Sequence, residues 1–479
     1  GSQMEDTHDL SAQMTILHER VHQWVDRLQS DGAEPEAFRE AVGDLRAAVD
    51  GVGRAAFLQL VEACEVFDET LIGDGQVYRF KQTPDKEWLT LWGQVTVPRR
   101  QYQPDRGGSS WTPLDERCRM VNRFMVPELE RMTTFLGARL VPAEVEESLS
   151  EALRESPSRT AIRNVLKDVG QCAEDHAEEL EERLQATARL DPDGDTLVVG
   201  WDGVTVPLRE PAPKRGRPPE RPMDTDTGPV PTAWKEASVG MVATYLTPLD
   251  PKKEDPERVD VRYASRMPES KMVTLIDGLV GQTEQALQQG CYHERVLLAD
   301  GRREIWRAAG EHAVFDDFTC ILDFYHATDH LSKAAEHLFG KGSDAAQRWY
   351  QSWRHKLKHD AGAVHGLIRS LWRYRRKLGQ RSQRYCDATC ELKFFRNNRN
   401  KMDYAGYRAR GLIISSGPVE AAAKTIVGQR LKRSGMRWTR QGGQQILNLR
   451  VHVQSKRFDA FWKWYLKHTD VTQTMRHAP

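Results

Sequence analysis

The chain has 479 residues, of which 39% are hydrophobic and 29% are charged, and its formal net charge is zero. This composition is typical of globular proteins and excludes a largely disordered or membrane-embedded chain. No run of about 18 apolar residues occurs, so we expect no membrane-spanning helix. The scattered cysteines and the absence of a signal pattern at the N-terminus favour a reduced, cytoplasmic protein. The seven cysteines are scattered, and no second pair matches Cys386 and Cys390 to complete a zinc tetrad.

The net charge of zero conceals a strong asymmetry along the chain. Residues 351–479 contain 28 Lys and Arg but 7 Asp and Glu, a net charge of +21. The other 350 residues hold the remaining 41 basic and 62 acidic residues, a net charge of −21. An excess of this size indicates a partner with a phosphate backbone. The alternative is that the acidic part of the same protein neutralises the basic part.

Hydrophobic periodicity divides the N-terminal part of the chain into three regions. Residues 1–75 are predicted to be helical, and alternating apolar residues predict a small β module over residues 76–120. Residues 121–190 are helical again, with a turn at Ser156-Pro157-Ser158. Short helices around such a turn are expected in a DNA-binding helix-turn-helix, but also in an ordinary helical bundle.

After residue 190 the pattern changes to alternating strands and helices. Strands are predicted over residues 196–201, 237–246, 259–264, 295–298 and 318–322, and helices over 269–289 and 303–309. This is the element order of the RNase H-like fold, an α/β sheet with helices on both faces. The predicted domains are the catalytic α/β domain (191–326 and 411–450), a large helical insertion (327–410) and a basic C-terminal helix and tail (451–479).

Three acidic residues in this region suit a metal site built from separate elements. Asp202 follows the first of these strands, Asp300 follows the fourth, and Glu420 lies near the start of a helix. The first and fourth strands are neighbours in an RNase H-like sheet, so the three carboxylates can converge. Carboxylates bind hard cations such as Mg²⁺ or Mn²⁺, and two such ions can promote cleavage of a phosphodiester.

Each of these residues also has a purely structural interpretation. Asp202-Gly203 is a good two-residue hairpin turn. Asp300 is suited to end a strand and cap the next helix. Glu420 favours the dipole at a helix start and is one turn before Lys424. Only the ordered set of three favours a metal site over these alternatives.

Longer motifs surround the three carboxylates. They are Trp201-Asp202-Gly203, Leu298-Ala299-Asp300-Gly301, Leu322-Asp323-Phe324-Tyr325-His326-Ala327, Arg399-Asn400-Lys401-Met402-Asp403-Tyr404, and the run from Ser416-Gly417-Pro418-Val419-Glu420 to Ser434-Gly435-Met436-Arg437-Trp438. Through them the chain resembles the ISKra-type insertion-sequence transposases of bacteria, most strongly over residues 197–464. These are DDE enzymes with an RNase H-like catalytic domain. The resemblance implies that Asp202, Asp300 and Glu420 are the metal-binding triad.

The resemblance also bears on two supporting residues and on zinc. Asp323 and His326 match an Asp-x-x-His element of related transposases and are candidates to support the site. Asp323 also ends a strand and rivals Asp300 as second ligand, but the fourth-strand position favours Asp300. Where the family has Cys-x-x-Cys-Gly after a tyrosine near Tyr102, this chain has Gln103-Pro104-Asp105-Arg106-Gly107-Gly108, so we expect no structural zinc.

Basic residues supply the candidates for contacts with DNA. The candidates are Arg215, Arg217, Lys424, Lys432, Arg433, Arg437 and Trp438. Arg215 and Arg217 lie in a Pro-flanked Arg-Gly-Arg that resembles a minor-groove AT-hook, although a merely basic loop has the same composition. Trp438 is suited to stack on an unpaired base, or to pack in the core as most Trp do.

The sequence therefore predicts a DNA transposase that binds terminal inverted repeats, frees a 3′-OH and joins it to target DNA using Mg²⁺ or Mn²⁺. Its expected partner is double-stranded DNA, on which it forms a homodimer or higher oligomer at the bacterial nucleoid. The alternatives are an RNase H-like nuclease without strand transfer and a domesticated, non-catalytic DNA-binding protein.

Overall fold

The structure is a computed structural model that describes residues 9–30, 34–73, 75–209, 233–250 and 254–474. The chain divides into two compact units, one formed by Gly1–Ala173 with Phe461–Pro479 and the other by Glu174–Ala460. Within the described residues, no helix has the length and apolar character needed to cross a membrane.

The first unit combines helices with two small antiparallel sheets. Its helices include α1 (Leu10–Ser30), α2 (Pro35–Glu62), α3 (Pro113–Arg117), α4 (Pro127–Gly137), α5 (Pro142–Ala152) and α6 (Arg159–Asp175). Its strands are β1 (Thr70–Gly73), β2 (Gln76–Gln82), β3 (Asp85–Thr90), β4 (Gly93–Pro98) and β5 (Gln101–Pro104). The strands pair in the orders β1-β2-β5 and β3-β4.

Local sequence explains these boundaries. Helices α2 to α5 each begin with proline, which suits the first helical position because its missing N–H has no partner there. Trp88, Val97 and Leu129 are buried together and join the β3-β4 sheet to the helices. The alternating pattern therefore predicted antiparallel strands correctly, although the first strand begins already at Thr70.

The second unit contains a mixed five-stranded sheet. Its strands are β6 (Thr196–Leu208), β7 (Ala233–Leu246), β8 (Glu257–Arg266), β9 (Glu294–Ala299) and β10 (Thr319–Leu322). They lie in the order β10-β9-β6-β7-β8. Strands β6, β7 and β8 pair antiparallel, whereas β9 is parallel to both β6 and β10. All five strands expected after residue 190 are present in the expected order.

Helices cover both faces of this sheet. The helices after α6 are α7 (Ala177–Thr187), α8 (Val273–Gln289), α9 (Arg303–Gly310), α10 (Phe324–Phe339), α11 (Asp344–His359), α12 (Ala363–Arg375), α13 (Gln383–Asn398), α14 (Tyr404–Ala409), α15 (Gly417–Ala422), α16 (Gln429–Leu431), α17 (Arg440–Gln454) and α18 (Phe458–Thr474), the last of which belongs mostly to the first unit. Successive strand residues point to opposite faces. Val198 accordingly packs in the same core as Phe324 of α10, whereas Val199 packs in the same core as Leu279 of α8.

Two predicted boundaries were wrong. The first strand was predicted to end at Trp201, but β6 continues to Leu208, and Asp202 lies opposite Val239 within the long ladder with β7. The alternative interpretation of Asp202-Gly203 as a hairpin turn is excluded as well. The apolar alternation of the following residues sustains the strand. Helix α8 begins at Val273 rather than at residue 269, because Lys271 and Met272 adopt left-handed backbone angles with φ of 57° and 55°.

Candidate functional site

The three predicted carboxylates line one cavity of about 190 Å³ in the second unit. Asp202 lies on β6 just beyond the last residue pair that joins β6 to β9, Gly200 with Leu298. Asp300 directly follows β9, and Glu420 lies in the first turn of α15. The structure therefore brings together residues that are more than 200 positions apart in the sequence.

Close packing at Gly200 brings Glu420 to this cavity. A Cβ atom on Gly200 would lie 2.8 Å from Val419 Cγ2 and 2.7 Å from the carbonyl oxygen of Leu298. Val419 is buried against the sheet, beside Glu420 in α15. Glycine at position 200 is therefore what lets this helix approach β6 so closely.

Asp323 and His326 line the same cavity, but Asp323 is engaged by the backbone on both sides. Its Oδ1 accepts a hydrogen bond of 2.5 Å from the backbone N–H of His326 and thereby caps α10. Its Oδ2 accepts one from the backbone N–H of Ser416, just before α15. With only 1% of its surface exposed, Asp323 is better placed to hold these segments than to bind an ion.

A histidine pair extends from the cavity into the helical region. The rings of His326 and His330 are 5.1 Å apart. His330 Nδ1 lies 2.7 Å from Glu391 Oε2, and its ring stacks on Phe394 with centroids 3.6 Å apart. Phe394 also contacts the Asp300 loop, because a Cβ on Gly301 would lie 2.5 Å from its ring. Helix α13 therefore supports both the histidines and Asp300.

Arg302 is the cation of this site, and its role could not be predicted from the sequence. Its Nη2 donates to Asp202 Oδ1 at 2.8 Å and its Nε donates to Asp300 Oδ2 at 2.7 Å. Its Nη1 donates to Glu236 Oε1 on β7 at 2.7 Å. The backbone N–H of Arg302 also donates to Asp300 Oδ1 at 3.0 Å. One guanidinium thus joins two of the three predicted ligands.

The electrostatics follow from partial burial and from this pairing. Burial raises the pKa of Asp202, while the Gly203 N–H and the Arg302 charge act to lower it. Burial acts to lower the pKa of Arg302, but attraction to Asp300 and Glu236 outweighs it and raises that pKa. The carboxylates around the guanidinium therefore stabilise a positive charge there, and Arg302 supplies that charge.

The donor set fits a hard cation, since three carboxylates offer the oxygen ligands that Mg²⁺ and Mn²⁺ take. All three carboxylates line the same cavity, so they are the residues that would hold such an ion.

The predicted DNA contacts have different surroundings. Lys424, Lys432, Arg433 and Arg437 are exposed, whereas Arg215 and Arg217 lie outside the described residues. Trp438 is tied into the fold: its backbone N–H donates to Pro207 and its indole N–H donates to the carbonyl of Leu431. The guanidinium of Arg430 lies 5.4 Å from its ring centroid, and Trp438 is half-buried.

In comparisons with known proteins, no family model and no curated protein matches this chain.

Proposed function

We propose that the protein is a DNA transposase that cleaves and joins DNA by two-metal DDE chemistry in an RNase H-like domain. The observation that carries this proposal is the convergence of Asp202, Asp300 and Glu420 on one cavity. They come from the central strand of the sheet, the end of its parallel neighbour and a helix packed on it. The strand order β10-β9-β6-β7-β8, with helices on both faces, supports the RNase H-like assignment.

Asp202, Asp300 and Glu420 are the residues that would hold the ions. When bound, divalent cations activate the attacking oxygen and stabilise the leaving oxygen of the phosphodiester. Asp202 is on the central strand β6, next to β9 with Asp300 at its end, and α15 packs on the same strand at Gly200, so Asp202 is suited to be the shared ligand. Asp323 holds the start of α15, which fixes where Glu420 points. The protein thereby presents its ligands in a fixed arrangement.

The surface charge supports nucleic acid as the substrate. The net charge of +21 over residues 351–479 includes the exposed Lys424 beside Glu420 and the exposed Lys432 and Arg433 after α16. Lys424 is four residues after Glu420, where a cation can bind a phosphate that flanks a scissile bond. The same charges would repel most metabolite cations, so they favour a polyanionic substrate.

The test replaces each ligand by its isosteric amide. Asp202→Asn, Asp300→Asn and Glu420→Gln keep the side-chain volume and remove the charge that binds a hard cation. Each should reduce cleavage and strand transfer by orders of magnitude while DNA binding persists, measured on duplexes that carry the DNA flanking the gene. Asp329→Asn is the control, because Asp329 is an exposed carboxylate that lines the same cavity.

The outcomes separate the proposal from its rivals. Cleavage without joining of the freed end would indicate a nuclease, and DNA binding with no metal-dependent cleavage would indicate a non-catalytic DNA-binding protein. Full activity in all three amide variants would rule out this site.

A further inference from the structure

Arg302 is bound to two of the three candidate metal ligands. Its guanidinium reaches Asp202, Asp300 and Glu236 at 2.7–2.8 Å, and 34% of the side chain is exposed. Asp202 and Asp300 are less exposed, at 30% and 22%. Glu236, at 45%, is the most exposed of the three partners.

We propose that Arg302 is an internal counter-cation that competes with the divalent ions for Asp202 and Asp300. This inference rests on the proposed metal site. Two carboxylates that face each other repel unless a cation lies between them. Arg302 supplies that cation in the protein alone, so ions can bind fully only when its Nη2 and Nε leave the aspartates.

Glu236 gives the displaced guanidinium a place to go. Its carboxylate binds Nη1, the guanidinium nitrogen that contacts neither aspartate. A pair with Glu236 alone can therefore persist after the two other contacts have broken. Gly203 makes room for this arrangement, because a Cβ there would lie 2.1 Å from Glu236 Cδ. The glycine after Asp202 thus lets Glu236 lie beside the aspartate and hold Arg302 at the edge of the site.

Competition predicts that removal of the arginine charge strengthens metal binding. Arg302→Gln should lower the Kd for Mn²⁺ by about tenfold or more, because charge pairs at this distance contribute at least the equivalent of one decade in affinity. The measurement is Mn²⁺ titration of the full chain without DNA, followed by electron paramagnetic resonance. Arg302→Met fills similar space without charge and repeats the test if the glutamine variant does not fold.

Arg303→Gln is the matched control. It removes the same charge one residue further along, from an exposed side chain at the start of α9. Its Kd for Mn²⁺ should stay close to that of the wild type. Arg302→Lys keeps the charge and should also stay closer to the wild type than Arg302→Gln does.

The results distinguish this inference from the proposed function. Tighter Mn²⁺ binding in Arg302→Gln but not in Arg303→Gln supports the competition. If Arg302→Gln binds Mn²⁺ with the affinity of the wild type, and the wild type cleaves DNA, the competition is ruled out. The transposase proposal is then unaffected. No Mn²⁺ binding and no cleavage by either protein overturns both.

Discussion

Asp323 is a buried carboxylate whose two oxygens hold two different backbone segments, the start of α10 and the residue before α15. Asparagine has one acceptor oxygen, so Asp323→Asn leaves one of these N–H groups facing an amide N–H. We expect a loss of about 1–3 kcal/mol in the free energy of unfolding, measured by urea denaturation.

Cleavage by Asp323→Asn should fall less than cleavage by Asp300→Asn, because Asp323 acts through the position of Glu420. Asp329→Asn, the same change at an exposed residue of the cavity, should leave stability within about 0.5 kcal/mol of the wild type. An Asp323 variant without cleavage beside a fully active Asp300 variant would make Asp323 the second ligand.

His452 makes stability depend on pH. Burial lowers its pKa to about 3, and the charge of Arg457 acts in the same direction, whereas its ordinary pKa is 6.5. The unfolded chain therefore takes up a proton near pH 6.5 that the folded chain refuses until about pH 3. The contribution of His452 to the free energy of unfolding is therefore fully present above pH 6.5. It declines as the pH falls, by up to about 1.4 kcal/mol per pH unit.

His452→Leu should remove this contribution. Urea unfolding at pH 7 and pH 5 should show a smaller loss of stability at pH 5 for the variant than for the wild type. Equal losses in the two proteins would mean that His452 titrates alike in the folded and unfolded chains.

The sequence allowed the residues of the site to be chosen but not all of their partners. Asp202, Asp300 and Glu420 could be selected as an ordered set, because each follows a predicted strand or starts a predicted helix, and the motifs around them resemble those of one family. Two partners of Arg302 are far from it in the sequence: Asp202 is on β6 and Glu236 is on β7. No local pattern reports that placement, so the cation that joins two of the candidate ligands was not expected.

At the level of elements, Gly200 controls how closely α15 approaches β6. Gly200→Ala would place a methyl group within 2.7–2.8 Å of Val419 and of the Leu298 carbonyl. Overpacking of this kind costs about 1–3 kcal/mol and would move Glu420 away from the aspartates. We therefore expect urea unfolding to show lower stability and DNA assays to show reduced cleavage.

Gly278→Ala is the matched control for this element. Gly278 is exposed in the middle of α8, and a Cβ there meets nothing within 4 Å. The same substitution should therefore stabilise the helix by about 0.5–1 kcal/mol. If Gly200→Ala is as stable and active as the wild type, α15 does not depend on this contact.

Strands and helices were predicted correctly where the spacing of apolar residues fits only one conformation. Predictions failed where the same spacing fits two conformations. Strands β7 to β10 were expected within a few residues of their observed positions. Strand β6 was expected to end before Asp202, because Asp-Gly favours a turn, but its ladder with β7 continues to Leu208. Residues Ala423–Gly428 form a π-helix between α15 and α16, a rare conformation that helical periodicity cannot distinguish from an α-helix.

At the scale of the whole molecule, the charge asymmetry determines how DNA binding should respond to salt. Each phosphate of a duplex that the protein neutralises adds about −0.9 to the slope of log Kobs against log salt. Lys432, Arg433 and Arg437 are exposed in the basic part of the chain. Replacing all three with glutamine should flatten the slope by up to about 2.7 if each binds one phosphate.

A second triple variant tests whether position matters as well as charge. Arg20, Arg39 and Lys81 are exposed in the part of the chain whose net charge is −21, so their replacement with glutamine removes the same charge from the acidic part. That variant should keep the wild-type slope, because acidic surroundings repel the DNA backbone. Equal flattening in both variants would mean that net charge, rather than a basic surface in residues 351–479, sets the affinity. An unchanged slope in the first variant would place the DNA elsewhere on the protein.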